Sequence, residues 1–280
     1  MAMTQPIHPP ADLGSCVRRA LSEDIGTGDL TAELLPPDVT ATAVIISREH
    51  AVVCGIPWVD EVYRQLDPAV TCSWTCADGD AITAELTLCT ITGLTRSILT
   101  GERTALNFLQ LLSGTATLTR KYVDLIAGTQ TRLLDTRKTI PGLRTAQKYA
   151  VACGGGTNHR MGLYDAILIK ENHIAAAGDI SKAIAGARQL HRHVEVEIET
   201  LAQLSQAIEA GADRVLLDNF NLSDINKAVT LNNGRVRLEV SGGINRDTIA
   251  AVAATGVDYI SVGELTKNVR AIDYSMRIVK

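Results

Sequence analysis

The second half of the chain repeats one pattern: a short apolar run, then a polar residue or glycine, then a helix-like segment. The apolar runs lie at residues 131–135, 166–170, 194–198, 214–218, 236–240 and 259–262. Helical periodicity is found at residues 180–190, 201–210, 222–231 and 247–255. The last four runs begin 20 to 23 residues apart, which is typical of β/α units. Continuous apolar strands of this kind predict a parallel sheet covered by helices.

Two folds are built from such units, an open doubly wound sheet and a closed barrel. No G-x-G-x-x-G motif follows the first run, so the nucleotide-binding form of the open sheet loses its main support. The three glycines at 154–156 follow a predicted helix at 143–153, and we interpret them as a loop. Polar residues end nearly every run, which is where barrel enzymes place their active sites. Because only six units are visible, we expect a barrel smaller than the usual eight-unit form.

The first hundred residues have a different pattern. Apolar runs at 41–47, 51–55 and 81–90 are separated by Asp-Gly-Asp at 78–80 and by prolines, which predicts antiparallel strands. A helix is predicted to begin near Ser97. We therefore expect an α+β domain that leads into the barrel.

Charge is distributed unevenly along the chain. The 280 residues are 46% hydrophobic and 21% charged, which is enough for a large core and excludes a disordered or fibrous protein. The net charge of −4 argues against a general nucleic-acid or anionic-membrane partner. Residues 131–170, however, contain seven basic and two acidic residues, so this segment is +5 and the remainder −9. A local cluster of cations predicts a small anionic ligand such as a carboxylate or phosphate.

The cysteines and the N-terminus bear on the compartment. Six cysteines are spread along the chain without a C-x-x-C pair. Cys72 and Cys76 lie four residues apart, but no second pair or nearby histidine completes a zinc site. No apolar run of about 18 residues is present, and the N-terminus, with Pro6, Pro9 and Pro10, lacks a signal-peptide core. These features predict a cytoplasmic protein with reduced thiols.

Ten short motifs occur in a specific order. They are EDIGTGDLT at 23–31, GERTALN at 101–107, DTRKTIPGLR at 135–144, KYAV at 148–151, GGG at 154–156, NHR at 158–160, IKENH at 169–173, VE at 196–197, LDNF at 217–220 and LEVSGGI at 238–244. Through them the chain resembles the quinolinate phosphoribosyltransferases, also called carboxylating nicotinate-nucleotide pyrophosphorylases, from Glu23 into the C-terminal segment. Each motif alone is weak, but ten in order are highly specific.

The resemblance implies a reaction and a fold. The family transfers phosphoribosyl from phosphoribosyl pyrophosphate to the nitrogen of quinolinate, using Mg²⁺ and releasing pyrophosphate and CO₂ to give nicotinate mononucleotide for NAD biosynthesis. We therefore expect an N-terminal α+β open sandwich over residues 1–112 and an incomplete, about seven-stranded parallel α/β barrel over residues 113–267. Residues 268–280 are expected to pack back on the sandwich.

The resemblance also implies ligands for each substrate. The ligands of the two quinolinate carboxylates are Arg103, Arg137, Arg160 and Lys170, with Thr136 and His159 beside them. Lys138 is implied on the pyrophosphate side of the donor. The loops implied to bind the 5′-phosphate through backbone N–H groups contain Ser241, Gly242, Gly243 and Gly263.

Two carboxylates are implied to hold the ribose hydroxyls and Mg²⁺, namely Glu197 and Asp218. Together with Lys138 and Lys170 they are the candidate catalytic residues. Glu195 and Glu199 flank Glu197 at alternate positions, so all three side chains should point to one side of the strand. Glu199 therefore remains the alternative to Glu197.

In the family, the arginine that Arg103 resembles enters the active site of the neighbouring subunit. The resemblance thus implies a homodimer with shared sites and leaves a hexamer open. Three alternatives remain at this point: a relative that uses nicotinate without decarboxylation, a lyase that forms a Schiff base on Lys170, and a non-catalytic phosphate-binding module.

Overall fold

A computed structural model describes residues 7–279. Residues 1–6 and 280 lie outside the described residues. The predicted domain limits at 1 and 280 and the part of the signal-peptide argument that uses Pro6 fall on them. The helices are α1 Leu13–Ile25, α2 Ile56–Leu66, α3 Thr95–Leu125, α4 Arg144–Cys153, α5 Glu171–Ala177, α6 Ile180–Arg188, α7 Leu201–Glu209, α8 Leu222–Asn232, α9 Ile249–Ala253 and α10 Glu264–Lys267. The strands are β1 Thr40–Ser47, β2 Ala51–Val52, β3 Thr71–Trp74, β4 Ala81–Ile82, β5 Thr87–Leu94, β6 Arg132–Leu134, β7 Ile167–Ile169, β8 Val194–Ile198, β9 Arg214–Asp218, β10 Arg237–Ser241, β11 Tyr259–Ser261 and β12 Tyr274–Val279.

The described chain forms two compact units. The N-terminal unit comprises residues up to 120 together with 139–155 and 265 onward, and the barrel unit comprises 121–138 and 156–264. The expected boundary between residues 112 and 113 falls within α3 and stays a prediction. In residues 7–279, no helix combines the length and the apolar character needed to cross a bilayer.

An antiparallel sheet in the order β12-β1-β5-β3 forms the centre of the N-terminal unit. Ala43, Ile45 and Ser47 of β1 are buried at every second position, as expected for a strand with one face against a core. Trp58 and Tyr63 of α2 belong to the same hydrophobic core as Ile45. The C-terminal strand β12 pairs with β1 along six residues of register, from Thr42 to Ser47, so the end of the chain completes this sheet.

Two strand predictions for this unit were wrong in extent. The run at 81–90 is divided into β4 and β5, because Glu85 adopts a left-handed conformation with φ of 62° and its N–H bonds to the carbonyl of Ser47. The run at 51–55 ends as a strand at Val52, because Gly55, with φ of 120°, leads into α2. Helices α1 and α2 were not predicted.

The barrel unit contains a six-stranded parallel sheet in the order β6-β11-β10-β9-β8-β7. All six strands lie where the apolar runs predicted them. An isolated parallel bridge between Leu134 and Thr157 adds a further chain segment beside β6. The predicted parallel α/β fold class is thus confirmed. The fully buried Val194, Val196 and Val215 show why these strands lack an alternating pattern.

Helix caps set where the β/α loops end. Asp179 accepts a hydrogen bond from the N–H of Lys182 at the start of α6, and Asn221 does the same for α8. Thr200 and Gln203 form a capping box at the start of α7. The caps of α7 and α8 end the loops that follow β8 and β9, whereas α6 is capped after the short helix α5 that follows β7.

Gly114 of α3 provides a test of how the C-terminal segment packs. A Cβ at this position would clash with the carbonyl oxygen of Arg270, so Gly114→Ala should lower the free energy of unfolding by about 1–3 kcal/mol. Gly186 of α6 has open space around it, so Gly186→Ala should raise that free energy by about 0.5–1 kcal/mol. Urea unfolding of both variants measures this, and equal stability of Gly114→Ala and the parent would contradict the packing.

Candidate active site

A cavity of about 500 Å³ opens in the barrel unit beside the carboxyl ends of its strands. Eleven of the expected site residues line it: Thr136, Arg137, Lys138, His159, Arg160, Lys170, Glu197, Asp218, Ser241, Gly242 and Gly243. Five residues that the sequence did not single out also line it: Leu168, Leu216, Asn219, Glu239 and Ser261. Parallel pairing explains this meeting, because it places all the carboxyl ends at one edge of the sheet.

Two expected residues lie elsewhere. Gly263 is not among the lining residues but lies against one of them, because a Cβ here would be 3.1 Å from Cδ of Lys138. Arg103 belongs to the N-terminal unit, where it is exposed on α3 and lines a separate cavity of about 350 Å³ with Asp24 and Asp29. Apart from Gly263, the expected site residues of the barrel unit therefore line one cavity, whereas Arg103 lines a different cavity.

The strand β8 distinguishes among its three glutamates. Glu197 lines the cavity, and its Oε2 accepts a hydrogen bond from Nζ of Lys170 at 2.5 Å. Glu199 is exposed, and its N–H bonds to Oε1 of Gln203 in the cap of α7. Glu195 is 2% exposed and lies deeper along the strand. Glu197 is therefore the carboxylate of this strand in the cavity lining.

Asn219 joins the ends of β9 and β10. Its side-chain amide donates to Oδ2 of Asp218 at 2.8 Å, and its backbone N–H donates to the carbonyl of Ser241 at 3.0 Å. Asn219 has φ of 55° and Gly242 has φ of 90°, and a Cβ on Gly242 would clash with Oδ1 of Asn219. The loop after β10 therefore needs glycine for both conformation and space. The LDNF motif contained Asn219 but carried no signal for this role.

Two buried carboxylates, Glu195 and Glu239, belong to a polar cluster that reaches the cavity through Glu239 and Ser261. We call Glu195, Glu239, Arg214 and Ser261 the floor cluster. Oε1 of Glu239 accepts a hydrogen bond from the hydroxyl of Ser261, and Oε2 lies 3.0 Å from Nη1 of Arg214. The Arg214 guanidinium also lies 4.2 Å from the centre of the Tyr259 ring. The three strands β8, β10 and β11 thus hold a pair of acids that are almost completely removed from water.

His159 contacts the floor cluster from a chain segment that lies beside β6, at the other end of the strand order from β8. Its Nε2 lies 2.9 Å from Oε2 of Glu195 and 3.6 Å from Oε1 of Glu239. His159 follows Thr157, which is bridged to β6, whereas Glu195 and Glu239 belong to β8 and β10. The sheet must therefore curve for these side chains to meet, as expected for an incomplete barrel.

Burial and neighbouring charge shift several ionisation equilibria at the site. Burial, reinforced by the charge of Glu195, raises the pKa of Glu239 from 4.5 to about 7. Burial also raises the pKa of Glu195. Burial, followed by the charge of Arg137, lowers the pKa of Arg160. The site therefore holds crowded cations above a pair of acids that compete for a proton.

The raised pKa of Glu239 gives a pH-dependent stability. Between pH 4.5 and about 7 the folded state binds more protons at Glu239 than the unfolded state does, so this contribution to the free energy of unfolding falls as pH rises. Glu239→Gln should remove that fall and flatten stability across the same range. Urea unfolding at a series of pH values measures the slope, with Glu209→Gln as an exposed control. An unchanged slope in Glu239→Gln would contradict the assignment.

Comparison with known proteins gives the family. The models described as quinolinate phosphoribosyl transferase, N-terminal and C-terminal domains, match residues 29–113 and 115–277. A Bacillus subtilis protein named probable nicotinate-nucleotide pyrophosphorylase (carboxylating) is 42% identical, across 91% of this chain and 90% of that protein. The Francisella tularensis nicotinate-nucleotide pyrophosphorylase structure is 52% identical, with a TM-score of 0.95, and the match covers 99% of this chain and 100% of that one. NadC from Streptococcus pyogenes is 39% identical with a TM-score of 0.94, over 99% and 100% of the two chains. The chain therefore belongs to the quinolinate phosphoribosyltransferase family, and it is an enzyme of the pentosyltransferase class.

Proposed function

We propose that the cavity of the barrel unit is where this enzyme joins quinolinate to phosphoribosyl pyrophosphate, forming nicotinate mononucleotide, pyrophosphate and CO₂. The observation that carries the assignment is the mixed lining of one cavity, in which Arg137, Lys138, Arg160 and Lys170 lie with the strand-end carboxylates Glu197 and Asp218. A set of cations suits the carboxylates and phosphates of the two substrates. The carboxylates suit the sugar and a divalent cation.

The acceptor is assigned to the cationic side of the cavity. Arg137 lies close enough to Arg160 for its charge to lower the pKa of that guanidinium. Two like charges held together in a partly buried place repel each other, and a bound dianion offsets this repulsion. Lys170 provides a third cation, and Thr136 and His159 also line this cavity. A dicarboxylate such as quinolinate fits this arrangement better than a monocarboxylate.

The donor is assigned to the strand-end loops. We assign the pyrophosphate to Lys138 and the 5′-phosphate to the loop Ser241-Gly242-Gly243. Support comes from the cavity, which Lys138 and this loop line, with Gly263 against the Lys138 side chain. Gly242 and Gly243 both have positive φ, at 90° and 65°, so the backbone can approach a phosphate without side chains in between. Backbone N–H groups in such loops are good anion ligands.

Glu197 and Asp218 fit a magnesium ion. They end the neighbouring strands β8 and β9 and both line the cavity. Mg²⁺ is usually held by one or two carboxylates together with substrate phosphates, and this donor set supplies the protein part. When bound, the cation would neutralise charge on the departing pyrophosphate.

The chemistry then depends on charge placement by the protein. Cleavage of the bond between C1′ and the pyrophosphate oxygen leaves positive character on the ribosyl ring, which Glu197 and Asp218 stabilise. Lys138 stabilises the departing anion. The quinolinate nitrogen forms the new bond to C1′. The resulting pyridinium nitrogen stabilises the electron pair that remains on C2 when CO₂ leaves, and a proton from water then takes the place of CO₂ at C2. The arginines contribute by holding the ring in place for both steps.

An assay with purified protein tests this assignment. With quinolinate, phosphoribosyl pyrophosphate and Mg²⁺, nicotinate mononucleotide and CO₂ should form in equal amounts, and chelation of Mg²⁺ should stop both. Nicotinate in place of quinolinate should react at least about tenfold more slowly, because one charge-assisted contact is lost. Preference for nicotinate would refute the decarboxylating reaction, and absence of both products would refute the assignment altogether.

We also propose a homodimer in which Arg103 completes the site of the neighbouring subunit, with a hexamer as a possible higher assembly. Two features of the N-terminal unit support this. Arg103 is exposed on α3, and Leu30, which lines the same small cavity, is 80% exposed. A cation beside an exposed apolar side chain suits a contact between subunits.

Mixing two inactive variants tests the shared site. Arg103→Ala and Glu197→Ala should each lack activity, whereas an equal mixture should recover up to about a quarter of the parental activity. Half of the dimers would be hybrids, and each hybrid would have one intact site. Subunit exchange is verified with differently tagged chains. No recovery after verified exchange would show that Arg103 does not act across subunits.

Cytoplasmic location is also proposed, supported by cysteines that the sequence spreads without pairing motifs. Fractionation of the source cells, with a compartment marker as reference, tests it. Recovery of the protein outside the cytoplasmic fraction would contradict it.

A further inference from the structure

The floor cluster has a structural cost that the reaction described above does not explain. Glu239 is fully buried and Glu195 is 2% exposed, and the two acids lie next to each other. Burying two carboxylates is expensive unless each is paired and hydrogen-bonded. Among residues 7–279, Oε1 of Glu195 has no hydrogen-bond partner. Hydrophobic side chains would fill the same floor at lower cost, so the pair needs a functional explanation.

The hydrogen bonds around His159 determine which of its ring nitrogens carries the proton. Nδ1 accepts a hydrogen bond from the backbone N–H of Arg160 at 2.7 Å, so Nδ1 is unprotonated. The proton of the neutral ring is therefore on Nε2, which lies 2.9 Å from Oε2 of Glu195. Oε2 of Glu195 is within hydrogen-bonding distance of this protonated nitrogen, and a carboxylate in that place favours this tautomer and this ring orientation.

A metal ion is a poor explanation for the same three side chains. His159, Glu195 and Glu239 could bring one ligand atom each to a common point. A metal would need the lone pair of Nε2, but that nitrogen carries the proton. Arg214 already supplies a positive charge 3.0 Å from Glu239. The geometry therefore favours a protonated histidine nitrogen facing an acid pair over a metal site.

The contact between His159 and Glu195 joins a segment beside β6 to strand β8. A parallel bridge between Leu134 and Thr157 attaches this segment to β6. Asp135 accepts a hydrogen bond from the N–H of His159 at 2.8 Å, which holds the segment on the β6 side. The bond to Glu195 of β8 holds it from the other side. The backbone position of Arg160, the next residue, is thus fixed by Asp135 on one side and by Glu195 on the other.

We propose that Glu195, supported by Glu239, is a positioning residue for the acceptor acid: it fixes the tautomer and orientation of His159 and thereby places Arg160 against a ring carboxylate. Glu239 supports Glu195 because Ser261 and Arg214 hold it on two sides and keep its carboxyl beside the histidine. The inference rests on the proposed assignment of Arg160 to quinolinate. It adds two residues to the determinants of acceptor binding and assigns to each of them an action through His159.

Matched substitutions at position 195 test the role. Glu195→Leu keeps a similar volume but removes the acceptor, and it should raise the KM for quinolinate by about tenfold or more. The KM for phosphoribosyl pyrophosphate should stay within about twofold, because the donor loops do not depend on His159. Glu195→Gln keeps an acceptor oxygen and should restore most of the affinity for quinolinate. Glu209→Leu, an exposed glutamate on α7, is the control for the substitution itself.

A second measurement does not depend on the variants folding. In the unaltered protein, ¹⁵N spectra of the six histidine rings, with His159 assigned from a His159→Asn variant, should show Nδ1 unprotonated and Nε2 protonated at neutral pH. The opposite tautomer or an imidazolium would overturn the proposal. A folded Glu195→Leu with the parental KM for quinolinate would overturn it as well. Failure of the parent to convert quinolinate would instead refute the proposed function, and the ring spectra would still test the hydrogen bond.

Discussion

Parallel pairing of the barrel strands is the constraint on which the rest of the site depends. It brings together the ends of all six strands of this sheet, although the cavity-lining residues are distributed from Thr136 to Ser261. Since every strand runs in the same direction, each contributes its following polar residues to one cavity. The buried valines and leucines of these strands hold the frame rigid. The side chains that line the cavity therefore extend from backbone that is held in place by core packing.

Charge balance is the second organising factor. Four cations line the cavity, and burial together with the charge of Arg137 lowers the pKa of one of them, Arg160. Two carboxylates lie at the strand ends, and two more lie in the floor. In the proposed site, an anionic substrate would pair with these cations, while the floor acids would hold the segment that carries Arg160.

The sequence allowed most of the barrel to be predicted, because β/α rhythm depends on local apolar periodicity. It failed where structure depends on a single backbone turn, as at Glu85, or on pairing with a distant strand, as for the short β2. The site residues of the barrel unit were found through motifs rather than periodicity. The motifs contained Asn219 and Glu239 but did not indicate their roles. Those roles arise from contacts with Gly242, Ser261 and Arg214, which belong to other strands or loops.

By itself, the sequence determined the succession of β/α units, the cationic segment at 131–170 and the family to which the ordered motifs point. The tertiary structure decided which of three alternating glutamates on β8 lines the cavity. Period two places all three on one side of the strand, but only strand packing determines how deep each lies. The tertiary structure also decided that His159 faces a pair of buried acids. A contact between distant strands depends on the curvature of the sheet, and no local sequence pattern predicts that curvature.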